Sequence, residues 1–130
     1  IALGGNSAVT AAFPYVSALA ASKHGLHGLI KGLAQAFGPH NVRANLLCLA
    51  NIQNDRRNPE WYTYTNAKGE TVRTGQVGDP TTTDADRFKL SPLGRQGTQQ
   101  EVANVAVFLA SDESSYITGD CIICSGGGYM

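Results

Sequence analysis

Residues 17–50 read SALAASKHGLHGLIKGLAQAFGPHNVRANLLCLA, a helical pattern followed closely by a strand pattern. In the first part, apolar residues recur every three or four positions, which is the spacing of one helix face. Gly38 and Pro39 then form a stop signal, because glycine tolerates a left-handed cap and proline cannot continue the helix. The mostly apolar run 42–49 is typical of a parallel strand covered on both faces. The expected apolar stripe of the helix is Leu19, Leu26, Leu29, Ile30, Leu33, Ala34 and Phe37.

The predicted helix, residues 17–37, contains three internal glycines. Gly25, Gly28 and Gly32 each cost roughly 1 kcal/mol relative to alanine in a helix interior. Small residues at this spacing allow a neighbouring backbone to approach closely. We therefore expect this helix to pack tightly against other elements of the molecule.

Strand and helix patterns alternate along the rest of the chain. Residues 1–5 and 119–124 are predicted strands, and Thr98 with Glu101 forms a capping box that begins a second helix. Such alternation indicates a parallel sheet with right-handed crossovers. The chain is therefore predicted to be α/β, with the glycines at 126–128 as a flexible end.

A long polar segment separates the second strand from the second helix. Residues 52–92 contain Pro59, Pro80 and several glycines but no strong hydrophobic period. About forty residues without a period are too many for a plain connection in a compact domain. We interpret 52–92 as a substrate lid with short helical pieces. The order is then strand, helix, strand, lid, helix, strand, within one partial domain that spans 1–130.

Composition and charge exclude several classes of protein. The 130 residues carry ten basic and ten acidic side chains, and the resulting net charge of zero argues against a nucleic-acid or anionic-membrane binder. No apolar run reaches the roughly 18 residues that span a bilayer. The chain starts at Ile1 in an apolar stretch without a signal-peptide pattern, which suggests that it begins within a fold.

The three cysteines favour a protein of a reducing compartment, and we expect a cytoplasmic one. Cys48, Cys121 and Cys124 are odd in number and widely spaced, which does not fit a disulfide framework. Cys121 and Cys124 form an isolated C-x-x-C in a predicted strand, where positions i and i+3 face opposite sides. A zinc site needs about four ligands. We predict structural cysteines and no metal site.

Six short motifs, in their order and spacing, resemble the C-terminal half of the short-chain dehydrogenase/reductase family. The resemblance implies half of a Rossmann-type, doubly wound parallel sheet. It also implies NAD or NADP as cofactor and hydride transfer to or from a small carbonyl or alcohol substrate. The motifs are AASKHG at 20–25, VRAN at 42–45, PLGR at 92–95, EVA at 101–103, FLASD at 108–112 and YITG at 116–119.

Lys23 falls on the family's catalytic lysine, for which the resemblance implies contact with the cofactor ribose. The family's proton-donating tyrosine lies four residues earlier, where this sequence has Leu19. Residues i and i+4 share a helix face, so an ammonium there can lower the phenol pKa from its ordinary value near ~10. Leucine carries no proton, so the pair is broken. Tyr15 is a poor replacement, because it lies about 12 Å from Lys23 along a helix.

The resemblance also implies a substrate-binding serine about thirteen residues before the tyrosine position. Asn6 and Ser7 lie there, at the end of the first predicted strand. Either side chain could polarise a carbonyl, and the end of a strand is where such a group belongs. The alternative is that Asn6 and Ser7 simply form a turn after two glycines.

The nicotinamide amide is expected to meet the segment after the second strand. The resemblance implies Ile52 and Asn54 as the cofactor-binding residues of this segment. Leu49 and Ala50 stand where the family has a proline-glycine pair, which puts the close backbone approach in doubt.

Two hypotheses about function follow. The first is the C-terminal part of a short-chain dehydrogenase/reductase-like NAD(P)-dependent oxidoreductase, impaired as written because Leu19 replaces the tyrosine. The sequence also has no glycine-rich phosphate turn ahead of a helix. The second is a non-catalytic Rossmann-like subunit for assembly or ligand binding. In the family, the long helix and the last helix and strand build dimer and tetramer contacts. The expected partners are therefore a homo-oligomer or an absent N-terminal half.

Overall fold

The computed structural model describes residues 1–10, 17–53, 63–73, 89 and 91–128. Within these ranges, three short 3-10 helices, Asn6–Ala8, Gly38–His40 and Asp112–Ser114, lie between the main elements. The strands and helices are β1 (Ala2–Gly5), α1 (Ser17–Phe37), β2 (Leu46–Leu49), β3 (Thr63–Thr65), β4 (Thr71–Arg73), α2 (Gln99–Ala110) and β5 (Cys121–Cys124).

β1, β2 and β5 form a parallel sheet with β2 in the centre. Leu46 pairs with Ala2 on one side and with Cys121 on the other, and this register continues to the strand ends. The parallel α/β arrangement predicted from the sequence is confirmed. β2 and β5 are shorter than the predicted runs 42–49 and 119–124.

One face of the sheet packs against α1. Ile30 of α1 meets Leu46 and Cys48 of β2 in the core, and Leu26 and Leu33 pack at its border. Other residues of the predicted apolar stripe are exposed. Leu19, Leu29 and Phe37 are 48%, 55% and 47% exposed, because three short strands cover only a narrow band of a 21-residue helix.

The prediction that the glycines of α1 mediate close packing is wrong for the described part of the chain. No atom of another described element lies within 4 Å of the place where a Cβ on Gly25, Gly28 or Gly32 would stand. This side of the helix is an open surface.

The helix ends at Phe37 as predicted, but the left-handed residue is not Gly38. The chain first makes a 3-10 turn over Gly38–His40, and Asn41 then adopts the left-handed conformation with φ of 58°. Asparagine tolerates this region better than most residues.

Residues 63–73 of the predicted lid form a β-hairpin. β3 and β4 pair antiparallel, with Thr63 opposite Arg73, and Gly69 takes a φ of 80° in the turn. Asn66 Oδ1 accepts hydrogen bonds from the backbone N–H groups of Lys68 and Glu70 within this turn. The predicted helical pieces are therefore wrong for 63–73. The lid's function and its boundaries remain predictions.

The last glycines form a defined turn. Gly126 and Gly127 have φ of 62° and 83°. The Gly126 carbonyl accepts hydrogen bonds from Ser91 Oγ at 2.9 Å and from the Leu93 N–H at 3.2 Å. The expectation of a flexible end is corrected, because this turn is hydrogen-bonded to the segment before α2.

In the described residues, no helix has both the length and the apolar character required to cross a bilayer. α1 is long enough, but it carries two lysines, two histidines and three glycines.

Candidate functional site

A cavity of about 520 Å³ opens at the carboxyl ends of β1 and β2. α1 forms one wall and the first turn of α2 another. In parallel α/β sheets, ligands bind outside the carboxyl ends of the strands, so this is the expected position for a site. The lining residues are Gly4, Gly5, Asn6, Ser7, Leu19, Lys23, Leu49, Ala50, Asn51, Ile52, Gln53, Gln99 and Val102.

Lys23 and Leu19 line this cavity from successive turns of α1. Lys23 is half-buried, and its stem lies on the helix side that meets the sheet. No described residue accepts a hydrogen bond from its ammonium. The structure therefore places a cationic donor and an apolar side chain on the same wall of the cavity.

Asn6 and Ser7 follow β1 directly, in the 3-10 helix Asn6–Ala8. The Asn6 carbonyl accepts hydrogen bonds from the N–H groups of Val9 and Thr10, both at 3.0 Å. The segment is thus a turn, as the alternative interpretation required. Its side chains nevertheless line the same cavity as Lys23, and Ser7 is 8% exposed. The two interpretations are compatible.

The segment after β2 is held by hydrogen bonds to the approach of α2. The Asn51 carbonyl accepts from the Gly97 N–H at 3.0 Å, and the Gly97 carbonyl accepts from the Gln53 N–H at 2.9 Å. Asn51 is left-handed, with φ of 54°. A Cβ on Gly97 would lie 2.8 Å from Ile52 Cδ1, so the glycine makes room for this side chain. Ile52 reaches the cavity, while the predicted Asn54 lies outside the described residues.

Sequence reasoning missed the contribution of α2 to the cavity. Gln99 and Val102 line it from the first turn of the helix. A signal was present: the capping box places residue 99 at the helix start, next to the carboxyl edge of the sheet. Gln53, in the segment after β2, also lines the cavity.

The capping box fixes this wall of the cavity. Thr98 Oγ1 accepts from the Glu101 N–H, and the Glu101 carboxylate accepts from the Thr98 N–H at 2.8 Å. Arg95 donates to both carboxylate oxygens, at 2.6 and 2.9 Å. The Arg95 hydrogen bond, followed by the Thr98 N–H, lowers the pKa of Glu101 to about 2. The carboxylate is charged throughout the physiological range.

The cysteines lie below the cavity rather than in it. Cys48 is fully buried, and its Sγ is 2.9 Å from the Sγ of Cys121 on the neighbouring strand. Burial, aided by the hydrogen bond with Cys121, raises the pKa of Cys48 to about 12. Burial also raises the pKa of Cys124. Three or more potential ligands do not cluster as a metal site anywhere in the described ranges.

A family model described as enoyl-(acyl carrier protein) reductase matches residues 67–129. A trans-4-hydroxycyclohexanecarboxylate dehydrogenase of Sinomonas cyclohexanicum is 35% identical over 112 residues, which are 85% of this chain and 34% of that protein. An uncharacterized short-chain type dehydrogenase/reductase of Sinorhizobium fredii is 36% identical over 109 residues, 82% of this chain and 35% of that protein. The chain thus spans about a third of the length of these relatives.

Comparison with solved structures indicates the same family. The crystal structure of a 3-oxoacyl-[acyl-carrier protein] reductase with bound NAD from Brucella melitensis superimposes with a TM-score of 0.71 at 30% identity. The match covers 98% of this chain and 39% of that one. Sequence motifs, parallel sheet and relatives agree, and the chain belongs to the short-chain dehydrogenase/reductase family.

Proposed function

We propose that this chain forms the substrate and nicotinamide side of an NAD(P)-dependent oxidoreductase for a small carbonyl or alcohol compound, with impaired catalysis. One observation carries the proposal. Lys23, Leu19, Asn6 and Ser7 come from two separate elements and line one cavity at the carboxyl edge of the sheet. The dehydrogenase and reductase names of the relatives support the reaction class.

The donor set suits the nicotinamide and ribose half of the cofactor, which lacks the phosphate charges. An ammonium, a hydroxyl and an amide surround a cavity whose volume is ordinary for a small-molecule site. Lys23 would donate to the ribose hydroxyls, Ile52 would pack against the ring, and Asn54 would meet the carboxamide. When bound, the nicotinamide supplies or accepts the hydride. NAD and NADP are both compatible with these residues.

Ser7 and Asn6 are proposed to orient the substrate. A hydroxyl or amide N–H that donates to a carbonyl oxygen polarises the carbon toward hydride addition, and stabilises the negative charge that develops on oxygen. Ser7 is the more buried of the two, so its hydrogen bond would be less weakened by water. Lys23 lines the same cavity and marks the side that we propose for the cofactor.

Leu19 leaves the alkoxide without a phenol to supply its proton. Loss of a general acid costs typically 10²–10⁴ in rate. Lys23 retains a binding role in this proposal, because an ammonium can position the ribose without a neighbouring phenol. We therefore expect binding to survive better than turnover.

The second candidate is a non-catalytic Rossmann-like subunit for assembly or ligand binding. The open glycine side of α1, together with the exposed Leu29 and Phe37, favours it. These are apolar and small groups without partners among the described residues, as at an interface. A homo-oligomer, dimer or tetramer, or an N-terminal half that completes the sheet would use such surfaces. The three free cysteines suit the cytoplasm, which we propose as the location.

Leu19→Tyr tests the catalytic reading. The new phenol would stand one helical turn from Lys23 in the cavity, and we expect turnover with a panel of small carbonyl compounds to rise about 100-fold or more. Oxidation of NADH and of NADPH, followed by absorbance, measures it. Leu29→Tyr is the matched control, since Leu29 lies on the same helix at similar exposure but outside the cavity.

Lys23→Met tests the binding site separately. Loss of the charge-assisted hydrogen bonds should raise the Kd for NADH or NADPH by about tenfold, measured by cofactor fluorescence. Lys31→Met, on the same helix but away from the cavity, should leave the Kd unchanged. Binding that depends on Lys23 without turnover in Leu19→Tyr would favour the binding subunit. Absence of any Lys23-dependent binding would contradict the first candidate and the ligand-binding form of the second.

A further inference from the structure

The isolated C-x-x-C of the sequence is not the pair of thiols that the fold brings together. β2 and β5 are adjacent, and their register places Leu46 beside Cys121 and Cys48 beside Ile123. Cys48 and Cys121 therefore point to the same face of the sheet on neighbouring strands. Their sulfur atoms are 2.9 Å apart although the residues are 73 positions apart in sequence.

The two thiols differ in their packing and exposure. A Cβ on Gly4 would lie 3.1 Å from Cys48 Sγ, so β1 closes one side of this thiol. Cys48 has no solvent exposure, whereas Cys121 is partly exposed at the edge strand. Cys121 is thus the thiol that an oxidant can reach, and Cys48 is the thiol held against it.

We propose that Cys48 and Cys121 are an oxidation site, at which a hydroperoxide converts the two thiols into a disulfide between β2 and β5. This proposal is independent of the nicotinamide site. It assigns to Cys48 and Cys121 a chemistry that neither hydride transfer nor the cavity requires.

The chemistry balances with hydrogen peroxide as the oxidant. The Cys121 sulfur attacks one peroxide oxygen, an S–O bond forms, the O–O bond breaks, and one water leaves from a Cys121 sulfenic acid. The Cys48 sulfur then attacks the Cys121 sulfur. The S–S bond forms, the S–O bond breaks, and the departing hydroxide takes the Cys48 proton as a second water. Two thiols are oxidised and one peroxide is reduced to two waters.

The burial of Cys48 gives the site a defined order of events. The raised pKa keeps Cys48 protonated and unreactive toward the oxidant. The Lys23 ammonium on α1 lowers the pKa of Cys48, but this effect is smaller than that of burial and does not offset it. Because Cys48 is fully buried and its Sγ lies 2.9 Å from the Cys121 Sγ, it meets a sulfenic acid on Cys121 rather than peroxide in solution.

Peptide mapping of the peroxide-treated native chain tests the proposal. Cleavage after arginine separates Cys48, in residues 44–56, from Cys121 and Cys124, both in residues 96–130. We expect these two peptides to be joined, with the loss of two hydrogens, and to be released by dithiothreitol. Cys124→Ser should keep the link and Cys121→Ser should abolish it.

The same chain oxidised in denaturant is the internal control. Without the fold, the shortest loop closes most readily, and the pair Cys121 and Cys124 should form a disulfide within residues 96–130. The same internal disulfide in the native chain would overturn the proposal. So would unlinked peptides, whether the thiols stay reduced or Cys121 proceeds to sulfinic acid. These readings use the unmodified chain, so they hold even where a variant fails to fold.

Discussion

The amino and carboxyl edges of the parallel sheet both carry polar groups but use them differently. At the amino end, Arg43 donates to Ser114 Oγ at 2.9 Å and to the Ile117 carbonyl at 3.3 Å. The buried Asn45 donates to the same carbonyl at 2.8 Å and accepts from the Asp120 N–H at 3.2 Å. These groups tie the start of the strand to the loop before β5.

At the carboxyl edge, Asn51 after β2 accepts a hydrogen bond from Gln96 Nε2 at 3.2 Å, but the polar residues after β1 and on α1 line the cavity instead. Asn6, Ser7 and Lys23 make no side-chain hydrogen bonds to other described residues. Ordering the Lys23 and Ser7 side chains costs conformational entropy, and no internal hydrogen bond of these side chains offsets that cost. The amino end thus serves stability, while the carboxyl end has groups available to a ligand.

The largest expected effect is at the amino end of β2. Asn45→Ala removes a buried side chain together with its hydrogen bonds to the Ile117 carbonyl and the Asp120 N–H, so the free energy of unfolding should fall by about 2–4 kcal/mol. Denaturant unfolding measures it. Asn104→Ala is the control, since this asparagine is exposed on α2 and bonded to Gln100. A similar loss in both variants would break the contrast between the two ends.

The turn that follows β5 should tolerate an added side chain less well than the exposed glycines of α1 do. Gly126→Ala puts a Cβ against Ser91 Oγ at a positive φ, and should destabilise the protein by about 1–3 kcal/mol. Gly28→Ala, in open space on α1, should stabilise it by up to about 1 kcal/mol. Thermal unfolding compares the two. Equal signs would mean that the 126–128 turn is as open as the glycine side of α1.

The cavity wall at α2 should respond to pH. The pKa of Glu101, about 2 in the fold against an ordinary 4.5, means that its stabilising effect is present above pH 4.5. It is lost as the pH falls through about 2. Glu101→Gln should therefore reduce the change in the free energy of unfolding between about pH 2 and pH 4.5. Urea unfolding at several pH values measures it.

Arg95→Gln is the matched variant, because the Arg95 hydrogen bond is the first cause of the lowered pKa. It should produce a similar flattening, and the double variant should add little. Both effects should shrink in high salt, since the pair is exposed. Fully additive single effects would show that the two side chains act separately.

The smallest effect on stability is expected at the carboxyl end. Lys23→Met should change the free energy of unfolding by less than about 0.5 kcal/mol, because the stem is kept and no internal hydrogen bond is lost. Denaturant unfolding beside Asn45→Ala makes the comparison direct. A loss as large as that of Asn45→Ala would reveal Lys23 as a structural residue.

Much of the architecture could be predicted because its signals are local. The 17–37 helix, the capping box at Thr98 and the order of elements follow from spacing and end signals that act within a few residues. The left-handed residue after α1 was misplaced, because Gly38 and Asn41 both permit that conformation. The hairpin at 63–73 was missed because strands of three residues leave almost no periodic signal.

The site was predictable only in part. Lys23, Ser7, Asn6 and Ile52 were named from the family pattern, and the fold brings all four to one cavity. Their roles remain proposals. Gln99 and Val102 were not named, since their place beside the cavity depends on how α2 packs against the sheet edge.

Spacing, capping and strand composition are enough to specify the α/β order of this chain and the absence of a phenol one turn before Lys23. Packing alone decided that Cys48 meets Cys121 rather than Cys124, and that the glycines of α1 face open space. It also decided that the polar groups after β1 share a cavity with α1. The physical reason is the sequence separation of the interacting residues. A helix signal comes from residues three or four positions apart, whereas these contacts join distant residues that only the assembled sheet brings together.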